Sequence, residues 1–135
     1  MNFLLRMLTR WLDRPEALAA PATIRAVRYV EDLVDAQAPK GDEIIFVGSP
    51  ASRKWAVIQC PCGCGHVLNV NLMRTHRPHW TLQTHGDRTM TLLPSLWVKD
   101  AKCRSHFFMH RNRIVWARGE DYDERWTRES NWGDD

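Results

Sequence analysis

The sequence has no long, uninterrupted apolar segment. None of its stretches approaches the roughly 20 consecutive apolar residues that a membrane-spanning helix needs. The first apolar stretch, residues 3–12, is interrupted by Arg6 and Arg10 and followed by Asp13, whereas a secretory signal needs an unbroken apolar region. We therefore expect neither a membrane span nor export. Reduced cysteines in a cytoplasmic protein fit this pattern best.

The chain also lacks a concentrated basic surface stretch. Its net charge is only +3, from 19 Lys and Arg against 16 Asp and Glu, and the arginines are spread along the chain. Residues 118–135 are acidic instead, with three Arg against seven Asp and Glu. Proteins that bind a phosphate backbone usually carry a stripe of Lys and Arg. We therefore expect no nucleic-acid partner.

Two motifs of catalytic zinc are missing. The sequence contains no H-E-x-x-H, and no H-x-E combined with P-C-x-x-C. The segment around residues 60–66 also has no carboxylate, a ligand that catalytic zinc sites often use. A zinc-dependent hydrolase or deaminase is therefore disfavoured.

What the sequence does have is a cluster of cysteines. Three of its four lie in Cys60-Pro-Cys-Gly-Cys-Gly-His66, and the fourth is Cys103. Thiolates suit zinc, and a structural zinc is usually held by four Cys or Cys/His groups in a tetrahedron. Glycine and proline permit the tight turn that such ligand spacing needs. The pattern predicts Zn²⁺ bound by Cys60, Cys62, Cys64 and Cys103.

Alternatives to this ligand set stay open. The C-x-C spacing is tighter than the usual C-x2-C, so one cysteine can lie outside the shell with His66 or His106 in its place. Cys103-x2-His106 is itself legitimate zinc spacing. Without a metal, the cysteines would be ordinary buried residues or disulfides.

Apolar and polar residues alternate along most of the chain, which predicts a mainly β, antiparallel fold. The predicted strands are 23–30, 43–47, 54–59, 67–72, 79–84, 88–93, 105–109 and 113–117. Residues 31–38 suggest a helical turn, and residues 94–97 break the β pattern and begin a connection. Trp80, Trp97 and Trp116 are expected to pack in the core or line a groove.

Three regions are expected. Residues 1–20 are a short N-terminal amphipathic helix and linker, with the helix over 2–12 packing on the domain rather than on a membrane or partner. Residues 21–117 are a zinc-binding β domain stabilised by the cysteine knuckle. Residues 118–135 are an acidic, disordered tail.

Four segments together are similar to the BubE family of bacterial ubiquitin-like conjugation operons. They are Cys60–Gly65, Pro94-Ser95, Cys103–Phe107 and Ile114–Trp116, and the resemblance covers roughly residues 43–117. It implies a zinc-stabilised β domain encoded beside a ubiquitin-like protein and E1- and E2-like enzymes, in a setting of antiphage defence. It further implies a peptidase that matures the modifier's C-terminus or removes the modifier from targets.

Peptide hydrolysis needs a nucleophile and a base, and His106 is the best candidate base. Ser95 matches the family's Pro-Ser pair and is the favoured nucleophile, placed in a loop. Ser105 is the alternative, although neighbours in a strand point to opposite faces. If His106 instead binds zinc, the serine chemistry loses its base. The remaining histidines are expected to face solvent, apart from His66 as a spare ligand.

The alternative hypothesis is that the protein is not an enzyme. Under this hypothesis Ser95 and Ser105 provide only turn or capping hydroxyls. The protein would then be a zinc-binding adaptor that recognises the modifier or its conjugation enzymes through a tryptophan-rich surface. A cysteine protease is disfavoured, because each cysteine is committed to metal.

Overall fold

Two four-stranded β-sheets make up the part of the chain that the computed structural model describes, residues 23–99 and 101–117. The first sheet contains β1 (Ala26–Val30), β2 (Glu43–Ser49), β3 (Ser52–Gln59) and β4 (Val67–Asn71). The second contains β5 (Thr81–Thr84), β6 (Met90–Trp97), β7 (His106–His110) and β8 (Arg113–Trp116). The predicted mainly β fold is confirmed.

Helical structure is scarce. Within the described ranges the one helical element is a short 3₁₀ turn, Leu33–Asp35, inside the predicted helical turn at 31–38. No helix in these ranges is long and apolar enough to cross a membrane. The predicted helix over residues 2–12 and the predicted acidic tail lie outside the described residues.

The first sheet has the strand order β1-β2-β3-β4, and its strands are antiparallel except that β1 runs parallel to β2. The central strand β2 is buried on both faces. Its residues Ile44 and Phe46 enter the main core, while Ile45 and Val47 pack in a second, smaller cluster. A strand covered on both sides reads as a continuous apolar run, which is what Ile44–Val47 shows.

The second sheet is antiparallel throughout, in the order β5-β6-β7-β8. Alternate residues of β7 face opposite ways. Phe107 and Met109 join the main core together with Phe46 and Ile58 of the first sheet. Phe108 packs on the other face against Leu93. The main core thus draws residues from both sheets.

Strand β6 is irregular where Pro94 interrupts it. Leu92 pairs with Met109 and Leu96 pairs with Phe107. Between these two pairs β6 advances by four residues while β7 advances by two, so β6 bulges here. Proline has no N–H to donate to a sheet ladder and is tolerated at bulges. The expectation that residues 94–97 leave the sheet was wrong, because pairing resumes at Leu96 and Trp97.

Candidate functional site

The four cysteines meet in space. Their Sγ atoms all lie within 4.8 Å of one another. Cys60 Sγ is 3.4 Å from Cys62 Sγ and 3.8 Å from Cys103 Sγ, and Cys64 Sγ is 3.7 Å from Cys103 Sγ. A disulfide has sulfurs about 2.05 Å apart, so these cysteines are free thiols.

These distances suit a tetrahedral metal site. With Zn–S bonds of about 2.3 Å, the sulfurs of a regular tetrahedron are about 3.8 Å apart. The three distances above lie close to that value, so the four side chains can hold a metal ion. Neither His66 nor His106 belongs to this cluster. The geometry therefore favours the four-cysteine set over the alternatives with a histidine ligand.

The knuckle is the connection between β3 and β4. The Cys60 N–H donates to the His66 carbonyl at 2.7 Å, and the Gly63 N–H donates to the Cys60 carbonyl at 3.2 Å. Gly63 and Gly65 both have φ of 85°, a left-handed conformation that glycine adopts without steric cost. These two glycines turn the chain tightly enough to bring three cysteines to one point.

Cys103 comes from the connection between β6 and β7, in the other sheet. A turn closed by the Arg104 N–H and the Ala101 carbonyl, 3.2 Å apart, presents it to the knuckle. The cysteine cluster therefore joins a loop of the first sheet to a loop of the second.

Two of the thiols have opposite electrostatic surroundings. Burial raises the pKa of Cys60 to about 12. Hydrogen bonds from the Ser105 side chain and backbone lower the pKa of Cys103 to about 6. Metal ligation requires thiolates, so binding a cation here releases protons and is pH-dependent.

Ser105 belongs to this cysteine cluster. It is buried, and its side chain hydrogen-bonds to the sulfurs of both Cys60 and Cys103. Its carbonyl accepts the Val98 N–H at 2.7 Å. The structure thus directs Ser105 toward the cysteines rather than toward His106.

Ser95 is the serine that reaches His106. The distance from His106 Nε2 to Ser95 Oγ is 2.7 Å. His106 pairs directly with Trp97, and Ser95 lies two residues before Trp97, so the three share one face of the sheet. The expectation of a nucleophile in a loop was wrong in one respect, since Ser95 lies within β6 at its irregular part.

A tryptophan holds the backbone of Ser95. Trp80 Nε1–H donates to the Ser95 carbonyl at 3.2 Å. Trp80 follows a loop organised by the buried amide of Asn71, whose Nδ2 donates to the carbonyls of Met73, His76 and Pro78 at 3.0 to 3.3 Å. The expectation that Trp80 packs against the core is confirmed, but its bond to Ser95 was not foreseen.

The His106 imidazole is partly enclosed. The Trp97 indole stacks on it, with ring centroids 4.9 Å apart and 14° between the planes, and the Phe108 ring lies at 6.1 Å. Burial lowers the pKa of His106. The ring is therefore neutral at pH 7, and Nε2 can accept the proton of the Ser95 hydroxyl.

Two expectations about side-chain exposure need correction. Trp97 is 56% exposed, beside His106, so it does not pack in the core, which was one of its two expected positions. His85 was expected to face solvent but is buried, with Nε2 2.7 Å from Thr91 Oγ1. The hydroxyl of Thr91, itself fully buried, accounts for the burial of a polar ring. Neither the contact between Trp97 and His106 nor the one between His85 and Thr91 can be predicted from the local sequence.

A serine hydroxyl hydrogen-bonded to a neutral imidazole is the arrangement of a serine hydrolase. A family model described as bacterial ubiquitination-like system serine protease (BubE) matches residues 30–117, and the chain belongs to this family. The matched segment contains the four cysteines, Ser95 and His106. Comparison with curated proteins and with solved structures finds no match.

Proposed function

We propose that this protein is a serine peptidase that cleaves at the C-terminus of a ubiquitin-like protein, with Ser95 as nucleophile and His106 as general base. The observation that carries the proposal is the 2.7 Å contact between Ser95 Oγ and His106 Nε2, in a chain of a serine protease family. The family is described as a serine protease of a bacterial ubiquitination-like system, which supports the choice of a ubiquitin-like substrate. Ser105 is assigned a different role, because it hydrogen-bonds to cysteines.

The reaction proceeds in two steps. Ser95 Oγ attacks the carbonyl carbon of the scissile bond while His106 Nε2 accepts the hydroxyl proton. His106 then donates that proton to the leaving amine, which leaves an ester on Ser95. In the second step His106 takes a proton from water while the water oxygen attacks the ester carbonyl. His106 then donates this proton to Ser95 Oγ as the ester C–O bond breaks, which releases the acid product and restores the Ser95 hydroxyl.

The cysteine cluster is assigned a structural Zn²⁺ held by Cys60, Cys62, Cys64 and Cys103. Four thiolates complete a tetrahedral shell and leave no open position for water or substrate, which is typical of structural rather than catalytic zinc. The ion would cross-link the β3–β4 and β6–β7 connections. Residues 21–117 would then be one zinc-stabilised catalytic domain.

The partners that follow are the ubiquitin-like protein of the same system and its E1- and E2-like enzymes, in the cytoplasm. Cleavage of a peptide extension would mature the modifier, and cleavage of its bond to a target would remove it. Both reactions break an acyl bond at the same modifier C-terminus, so one Ser–His pair serves both.

The test uses the purified protein and the ubiquitin-like protein of its own operon carrying a C-terminal extension. Mass spectrometry of the products reports cleavage and its position. Ser95→Ala and His106→Ala should abolish cleavage while keeping the bound metal and the fold. Ser105→Ala serves as a matched serine control and should retain cleavage when zinc is supplied.

A different outcome would favour a non-catalytic role. If the wild-type protein holds zinc and binds the modifier but never cleaves it, the protein is an adaptor. Cleavage that survives both Ser95→Ala and His106→Ala would remove the serine mechanism and leave the substrate assignment standing.

A further inference from the structure

His106 lacks a carboxylate partner among the described residues. Serine hydrolases usually orient the base through a carboxylate on Nδ1. Within residues 23–99 and 101–117, the ion pairs found are Arg28–Glu43 and Arg111–Asp87, and neither involves His106. The bond from Nε2 to Ser95 is the hydrogen bond that the imidazole makes there. A single hydrogen bond at one nitrogen leaves the ring free to tilt about it.

Trp97 supplies a second constraint. It is the direct cross-strand partner of His106, and its indole lies nearly parallel to the imidazole, 14° apart, with centroids separated by 4.9 Å. Stacked aromatic rings at such separations attract one another beyond simple burial. The Lys99 ammonium lies over the same indole, 4.8 Å from its centroid, which restricts the indole in turn.

The exposure of Trp97 needs an explanation. A tryptophan that is 56% exposed contributes little to the core, and no packing cluster of the described residues includes it. Its one aromatic contact in the described structure is with His106. The position is therefore better explained by what the indole does to the imidazole than by stabilisation of the fold.

We propose that Trp97 is a positioning residue for the base, holding the His106 imidazole in the orientation that directs Nε2 at Ser95. The inference rests on the proposed serine mechanism. Stacking opposes any tilt of the imidazole away from its nearly parallel arrangement with the indole, so Nε2 stays aligned with the Ser95 hydroxyl. The same contact keeps water from one face of the imidazole and keeps the ring neutral.

The groups around His106 support this reading. Ser95 and Trp97 face it from β6, with Lys99 beyond the indole, and Phe108 flanks it on β7. On the β8 side, the Ala117 N–H donates to the His106 carbonyl at 3.0 Å. The lowered pKa of His106 comes from burial. Removing the indole should therefore raise this pKa toward the ordinary value.

The experiment compares Trp97→Ala and Trp97→Phe with the wild type, in the zinc-loaded protein. Trp97→Ala should lower kcat about 3- to 10-fold, since a stacked pair contributes roughly one power of ten or less to an orientation equilibrium. Trp97→Phe retains an aromatic face and should recover most of this loss. Lys54→Ala, at an exposed position of β3 in the other sheet, is the control and should change kcat less than twofold.

Two pH measurements separate positioning from substrate contact. In Trp97→Ala, the acid limb of kcat/KM should move to higher pH, because a more hydrated imidazole protonates more readily. An NMR titration of the His106 ring should show the same shift without any substrate. Trp97→Phe should titrate near the wild type.

The outcomes are distinct. A rise in KM alone, with kcat, the pH profile and the NMR titration unchanged, would make Trp97 a substrate contact and overturn the inference. An active wild type whose activity survives Ser95→Ala would overturn the serine mechanism itself. Since Trp97 is largely exposed, its variants should fold, which bound zinc and circular dichroism will check.

Discussion

Ser105 and His106 are consecutive in the chain yet serve two different sites. Ser105 hydrogen-bonds to the sulfurs of Cys60 and Cys103, while His106 is 2.7 Å from Ser95 Oγ. One residue of separation turns the side chain to the opposite side of an extended backbone. The cysteine cluster and the Ser–His pair are thus connected through a single peptide bond.

This adjacency predicts that metal removal inactivates the protein. Chelation would separate Cys103 from the knuckle, release the β6–β7 connection and displace the start of β7, where His106 lies. We expect a large fall in Tm and loss of cleavage, both restored by adding Zn²⁺. Thermal unfolding and cleavage assays with and without chelator measure these effects.

The Ser95→Ala variant is the control that separates the effect of the metal on stability from its effect on cleavage. It should lose as much thermal stability on chelation as the wild type, because the metal acts on the fold rather than on the nucleophile. A chelated wild type that keeps both its Tm and its activity would show that the cysteine cluster needs no metal.

Ser105→Ala should weaken metal binding rather than remove the nucleophile. Loss of a hydrogen bond to a ligand typically lowers metal affinity by roughly 10- to 100-fold. Cleavage should therefore fall at limiting zinc and recover with excess zinc. Zinc affinity, measured by competition with a chromophoric chelator, checks the first part. Failure of excess zinc to restore cleavage would return Ser105 to the list of candidate nucleophiles.

Activity should persist below the ordinary pKa of histidine. His106 must be neutral to accept a proton, and burial lowers its pKa from 6.5. As the pH falls, kcat/KM should therefore decline only once the pH drops below 6.5 and passes through this lowered pKa. A pH profile measured on zinc-loaded protein, with zinc content checked at each pH, tests this. An acid limb centred above pH 6.5 would contradict it.

Trp80→Phe should slow cleavage while leaving the ring packing in place. The substitution removes the N–H that donates to the Ser95 carbonyl at 3.2 Å. An intramolecular hydrogen bond contributes about 1 kcal/mol to stability, and a loss of similar size in the positioning of Ser95 would lower kcat/KM roughly fivefold. Trp55→Phe is the matched control, since Trp55 packs in the smaller cluster of the first sheet. Equal losses in both variants would remove the special role of Trp80.

Most of the strands were predictable because their signals are local. The apolar run of β2 and the alternation in β4 identify them without any knowledge of their partners. The pair β7 and β8 was also close to the predicted strands 105–109 and 113–117. The turn residues between them, Arg111 and Asn112, adopt the left-handed conformations that a two-residue hairpin turn requires. Strand ends differ by only a few residues from the prediction.

Residues 94–97 show where local reasoning fails. Proline predicts the end of a strand, and Ser95 was therefore placed in a loop. The structure continues β6 through an irregular register because Leu96 and Trp97 find partners on β7. Pairing with β7, a strand that lies further along the chain, compensates for the N–H that Pro94 lacks, and no local pattern contains that information.

The sequence by itself determined the composition of both sites. Soft thiolates between glycines indicate a metal cluster by their chemistry alone. Ser95 and His106 were singled out because the family resemblance implied a peptidase, which needs a nucleophile and a base. Which serine faces His106 was decided only by the tertiary structure. That choice depends on the register between β6 and β7 and on which side of the sheet each residue faces. The same pairing brought Trp97 onto the imidazole, a contact between strands that sequence spacing cannot encode.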